Sequence, residues 1–259
     1  MRQPPVSTST EATVGVTARE LTVAARARVF LGHQSVGNNL LQVIPGVYAT
    51  HGLPPPPIGA PTELAGTDGG RVAHTVIGAN EQPLLKINDF AAQLRCGIGA
   101  LVEVAMMKLC YIDVRADTDV AVLFATYRDT LAELAREFPD VRFMAVTVPL
   151  TTASDAQQRL KATVKALLGR VDQDGSADNV ARERLNALIR REYQAGHLFD
   201  LAGVESTAPN GARVRGRHRG AEYFALHRGY ASDLGHLNQQ GARVAAAAML
   251  AAVARAGVR

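Results

Sequence analysis

The sequence predicts one α/β domain built on a parallel sheet, and three observations carry that prediction. Short apolar runs alternate with longer amphipathic segments from Val29 to Leu201. No internal repeat or shift in composition divides the 259 residues. The run Ala100–Leu109, broken only by Glu103 and Lys108, suits a central parallel strand buried on both faces. Alternation of this kind gives a sheet covered by helices on both sides.

Taken in order, residues 1–17 are rich in Ser, Thr and Pro and read as a mobile tail ahead of a domain spanning 18–259. A short helix over Ala18–Arg26 leads to a first strand, Val29–Leu31. Helix follows Ser35 and is expected to stop at Pro45-Gly46. Leu53–Asp68, with prolines at 54–57, reads as a stiff loop beside the site. Arg71–Ile77 is a second strand that closes at Gly78, and Glu81–Leu94 is helical with Pro83 in its first turn. Asp117 or Thr118 can cap a long helix whose buried face is Val120, Phe124, Tyr127, Leu131, Leu134 and Phe138, stopped by Pro139. Val141–Val148 is the fourth strand. Helices are expected over Ala156–Leu168 and Val180–Ala195, then a fifth strand, Leu198–Leu201. Within the second of these helices, Asn179–Tyr193 reads as an ordinary surface face. Residues 203–232 read as irregular, and Leu237–Ala254 as a final helix.

A hydrophobic fraction of 47% against 20% charged residues is ample for a core. No apolar run reaches the ~18 residues of a membrane-spanning helix. Met1-Arg2-Gln3-Pro4-Pro5 lacks the apolar stretch of a secretory signal. Cys96 and Cys110 make neither a disulfide framework nor a metal-ligand pattern. The expected setting is therefore the cytoplasm, with no membrane partner. The net charge of +4 is partly local to Arg213, Arg215, Arg217 and Arg219, so no nucleic-acid partner is expected.

In parallel sheets, ligands sit beyond the carboxyl ends of the strands. That rule gathers His33–Gly37, Gly78–Asn80, Lys108–Asp113 and Pro149–Thr152 on one rim. Ser35 lies where a strand turns into a helix, which either exposes its hydroxyl for attack or uses it as a cap. Asp233 and His236, three residues apart before the last helix, either orient a proton shuttle for Ser35 or serve that helix as a cap and a first-turn residue. Ser35, Asp233 and His236 occurring together favour the chemical reading. His33 can touch substrate or brace the Ser35 turn, and bracing is favoured. His74 reads as a satisfied core histidine. Cys110 reads as a small buried hydrophobe. His33, His74, Asp113 and His236 lack metal-ligand spacing, so no metal is expected.

These blocks resemble the SGNH, or GDSL-type, hydrolase superfamily over Arg28 to the final helix. His33-Gln34-Ser35 stands where the family often has Gly-Asp-Ser, and Asp233-Leu234-Gly235-His236 matches its Asp-x-x-His block. The resemblance implies a single three-layer α/β/α domain with a five-stranded parallel, flavodoxin-like sheet. It implies an esterase without cofactor, with Ser35 as nucleophile, His236 as base and Asp233 as orienter. The backbone N–H groups of Ser35 and Gly78 would form the oxyanion hole. The family's Gly-x-Asn-Asp block is missing from Met107–Asp113, so another donor is needed. Asn80, Lys108 and Tyr111 are the candidates, with Asn80 favoured. Lys108 can equally pair with Asp113 and brace the rim. The substrate would be a small-molecule or carbohydrate ester. An acyltransferase on the same residues, and a non-catalytic binding module that kept the fold, remain alternatives.

Overall fold

Thr17 starts the first helix with a capping box: its hydroxyl accepts from the Glu20 N–H while the Glu20 carboxylate accepts from the Thr17 N–H. This is seen in a computed structural model that describes residues 15–66, 69–153 and 175–257. The helix, α1 (Ala18–Ala24), leads into β1 (Arg28–His33) and then α2 (Ser35–Ala49). The expected stop at Pro45 does not occur. A proline inside a helix loses one hydrogen bond at a cost of ~3 kcal/mol. Beyond it, Val47 and Tyr48 are buried in the core, and the Tyr48 hydroxyl donates to the Leu21 carbonyl at 3.1 Å. That packing carries the helix one turn further.

Six parallel strands, one more than the sequence suggested, form the sheet in the order β2-β3-β1-β4-β5-β6. They are β2 (Ile58–Gly59), β3 (Arg71–Val76), β4 (Val104–Met107), β5 (Arg142–Val146) and β6 (Leu198–Phe199), with β1 at the centre. The extra strand comes from the proline run. Pro54–Pro57 deliver an extended chain to the sheet edge, where the Pro57 carbonyl accepts from the Val72 N–H at 2.9 Å. An edge strand can hold prolines because half its N–H groups need no partner. Without β2, the order is that of a flavodoxin-like sheet, whose chain reverses direction between β1 and β4.

Alternation along the strands sorts the core into two layers. Val29, Leu31, Val104, Met106, Met144 and Val146 meet α1, α2 and the last helix, α7 (Gln239–Arg255). Phe30, Ala105, Met107, Phe143 and Ala145 meet the other layer. That layer is α3 (Pro83–Arg95), α4 (Val120–Glu137) and α5 (Ser176–Glu192). Asp119, rather than Asp117 or Thr118, caps α4 by accepting from Ala121 and Val122 N–H. The helix expected over Ala156–Leu168 lies outside the described residues. After β6 come α6 (Leu201–Glu205) and an antiparallel hairpin, β7 (Arg215–His218) and β8 (Ala221–Phe224). Its two-residue turn holds Arg219 and Gly220 at φ of 48° and 87°, the left-handed pair that a hairpin turn needs. The sequence reads as irregular here because Arg-Gly is a weaker turn signal than Asn-Gly. Among the described residues, no helix is long and apolar enough to cross a membrane.

Two segments that the sequence reads as surface helix and irregular chain are built into the fold. On α5, Asn179, Arg182 and Asn186 are buried. The Asn186 amide spans the Val148 N–H and carbonyl at 2.7 and 2.9 Å, and Asn179 does the same for Thr151 at 3.1 and 2.9 Å. Polar side chains substitute here for a missing neighbour strand, satisfying backbone groups that burial would otherwise orphan. On the hairpin, Arg213 stacks on the Phe224 ring, 3.9 Å from its centroid, and donates to Ser206.

Glu205, at the end of α6, is also buried and accepts from the Leu150 N–H at 2.7 Å. Burial pushes its carboxyl up to about 8. The folded chain therefore holds a proton that the unfolded chain, titrating near 4.5, gives up. The resulting stability is full below the unfolded value and is lost as pH rises through about 8. Glu205→Gln should melt near the wild-type temperature in mild acid and above it in alkali, as thermal unfolding across pH would show.

Candidate active site

Ser35 is the first residue of α2, and no side chain caps that helix end. The Gln34 side chain is used elsewhere: its Nε2 donates to the carbonyls of Ile77 and Gly78 at 2.8 and 3.1 Å. This ties the β1–α2 turn to the turn after β3. Gly37 completes the motif because any Cβ there would drive into the His33 ring. Ser35 is consequently exposed, with the helix amino terminus behind it.

His33 is fully buried beneath this turn. Its Nδ1 donates to the Gln34 carbonyl at 2.8 Å, which leaves Nε2 to accept from His74 Nδ1 at 3.0 Å. Burial pushes His33 down to about 4 and also lowers His74. His74 is satisfied, yet only half-buried, and it serves the site through His33.

The second half of the site comes from the loop before α7. Ser35 Oγ donates to His236 Nε2 at 3.0 Å, and His236 Nδ1 donates to Asp233 Oδ2 at 2.7 Å. The other carboxylate oxygen of Asp233 accepts from the N–H groups of Gly235 and His236 at 2.9 and 2.8 Å. Partial burial works against its charge, but these N–H donors and the imidazole outweigh it, so the carboxyl lies below its ordinary range. Asp233 is not the cap of α7. That role belongs to Asn238, whose side chain accepts from the Gly241 N–H at 2.9 Å.

This loop is held from outside. Its Leu234 carbonyl accepts from the Thr152 N–H at 2.9 Å, beyond the end of β5. The Tyr111 ring lies edge-on to the His236 ring, 5.7 Å between centroids. Arg182 fixes Tyr111 in turn: Nε donates to its carbonyl at 2.8 Å, and the guanidinium lies over its ring. Arg182 also donates to Thr151 Oγ1 and Asn179 Oδ1, and burial lowers it to about 10. Sequence reasoning missed Arg182 because its partners lie on other elements.

Two expectations for the anion-binding side do not fit the geometry. The Gly78 N–H, expected to face the oxyanion, donates to Asp89 Oδ2 at 2.8 Å. Gly78 is required instead by its left-handed turn, φ 49°, packed against Lys86. Lys108 neither pairs with Asp113 nor opens to the rim. It is buried, its Nζ donating to the Leu109 carbonyl at 3.1 Å and lying 3.7 Å from Cys110 Sγ, and burial lowers its pKa. Asp113 pairs with Lys86 at 2.6 Å, both side chains being fully buried. Tyr111 packs on the imidazole, as described. Asn80 is exposed on the rim, its Oδ1 accepting from Lys86 Nζ at 3.1 Å. Lys86 had a legible signal, a lysine inside the apolar stripe Ile87, Phe90, Ala91 and Leu94. Among the described residues, no group of three or more His, Cys, Asp or Glu is placed to hold a metal ion.

No protein-family model matches the sequence, and no curated protein matches it either. Among solved structures, a Streptococcus pneumonia protein described as a candidate platelet activating factor aligns over 89% of this chain and 87% of its own, at 15% identity and a TM-score of 0.48. Likeness at that distance carries no conclusion about chemistry.

The His33 brace makes a prediction. His33 is neutral in the folded chain down to about pH 4, whereas it charges near 6.5 when unfolded. The unfolded chain binds the extra proton, so stability is present above pH 6.5 and falls as pH drops toward 4. The loss is roughly 3 kcal/mol. Urea titrations from neutral to acid pH should show this slope in the wild type and a shallower one in His33→Gln.

Proposed function

We propose that this protein is a serine esterase of the SGNH type. The observation that carries the reading is the continuous hydrogen-bond path from Ser35 Oγ through the His236 ring to Asp233, at 3.0 and 2.7 Å. Asp233 accepts a hydrogen bond from Nδ1–H, so Nε2 presents its lone pair to the serine hydroxyl. As Ser35 Oγ attacks the ester carbonyl, its proton passes to Nε2. The imidazolium then gives that proton to the departing alcohol, leaving an acyl group on Ser35. Water attacks the acyl group by the same route in reverse.

The negative charge on the carbonyl oxygen falls in front of the α2 amino terminus, where the Ser35 N–H is available. With the Gly78 N–H held by Asp89, the Asn80 side-chain amide is the second donor in this reading. Asp233 and His236 side chains are 55% and 31% exposed. That openness suits a small-molecule or carbohydrate ester better than a long acyl chain in a buried tunnel. The free cysteines, Cys96 exposed and Cys110 buried, suit a reducing cytoplasmic setting.

Incubation with a fluorophosphonate followed by intact-mass measurement tests the reading. The wild type should gain one phosphonyl group and Ser35→Ala none. Asp233→Asn should lower kcat on p-nitrophenyl acetate by about 10³–10⁴-fold. A wild type that neither labels nor turns over short esters would mark the fold as a binding module instead.

A further inference from the structure

The buried Lys86–Asp113 pair is an arrangement that the chemistry above does not use. Two charged side chains are fully removed from water, and such pairs seldom add net stability over an apolar substitute. Their surroundings define a direction. Asp113 uses its two oxygens on the backbone as well, accepting from the N–H groups of Cys110 at 2.6 Å and Glu81 at 2.9 Å. It thereby clamps the turn after β4 to the turn after β3. Lys86 Nζ spends two donors on Asp113, at 2.6 and 2.8 Å, and directs a third to Asn80 Oδ1 at 3.1 Å.

Lysine carries donors only, so the end of the Asn80 amide that meets Lys86 must be the oxygen. An amide is planar with its two functions on opposite branches, so fixing Oδ1 fixes Nδ2. Gln34 ties the turn that carries Asn80 to the turn that presents Ser35. We infer that Lys86, held by Asp113, is a positioning residue that turns the Asn80 Nδ2 donors toward the anion formed at Ser35. The inference rests on the esterase reading and extends it by one layer. Asn80, held from beneath by the pair, would supply the donor that the absent Gly-x-Asn-Asp asparagine would otherwise give. The orientation also matters electrostatically. A freely turning amide would present its oxygen to the anion part of the time, whereas a locked one presents only hydrogens.

A double-mutant cycle on p-nitrophenyl acetate tests this, using wild type, Asn80→Ala, Lys86→Met and Asn80→Ala/Lys86→Met, each with its melting temperature. Asn80→Ala should lower kcat by about 10²-fold with KM nearly unchanged, as loss of a transition-state donor does. Lys86→Met should lower kcat by roughly 10- to 100-fold in the wild type but cause little further loss in the Asn80→Ala background. Should Lys86→Met strand the Asp113 charge and fail to fold, Lys86→Met/Asp113→Asn removes both charges and takes its place. Asn80→Asp is a third arm, because it keeps a partner for Lys86 while presenting oxygen at both ends, and it should lose kcat without losing melting temperature. Equal losses from the Lys86 substitution in both backgrounds would overturn the inference, as would wild-type kcat in Asn80→Ala, Asn80→Asp or the Lys86 variant. Absence of turnover and phosphonate labelling in the wild type is the separate signature of failure of the esterase reading.

Discussion

The hydrogen bond between Ser35 Oγ and His236 Nε2 joins residues 201 positions apart, and most of the structure exists to make that distance short. Neither residue is held by its own element alone. Ser35 depends on a turn with a buried histidine beneath it and a glutamine tether to the turn after β3. His236 depends on a loop pinned to the end of β5, faced by Tyr111 and closed by the Asn238 cap. A parallel sheet makes this possible because all its strands end on the same side, so turns distant in sequence share one rim. Strand order reverses between β1 and β4, the point beside which ligands bind in sheets of this kind.

Polar burial is the recurring means of support. His33 and His74, Lys86 and Asp113, and Arg182 with Asn179 and Thr151 are three separate networks, each placed under one wall of the site. Each satisfies its buried donors and acceptors with specific partners, which rigidifies a rim at some expense in desolvation. Such networks position groups more narrowly than apolar packing could, since each hydrogen bond constrains angle as well as distance. In the proposed reaction, oxyanion stabilisation needs that precision, because donors must already point at the charge when it forms.

The layered α/β architecture was legible because the apolar runs and amphipathic helices are long and regular. Ser35, Asp233 and His236 were legible because each lies in a short block whose spacing constrains its geometry. What stayed hidden depends on contacts between elements. The strand Ile58–Gly59 is too short to have a pattern and exists because Val72 needs a partner for its N–H. The α2 helix runs past Pro45 because Tyr48 is anchored to Leu21. The choice of Lys86 over Lys108 as the partner of Asp113 turns on which lysine the α3 helix places over the turn after β4. Likewise, Asn179 and Arg182 look solvated in sequence and are buried only because the strand beside β5 ends early, leaving Thr151 and its neighbours to be satisfied from a helix.

The central claim is that Ser35 carries the acyl group during turnover. Rapid mixing with p-nitrophenyl acetate, acid quenching and peptide mass spectrometry would test it most directly. The account predicts one acetyl group per chain on Ser35, formed in a burst of p-nitrophenol and absent from His236→Ala at the same time point. Acetylation elsewhere, on Cys110 or a surface lysine, or turnover with no acylated peptide at any time, would contradict it.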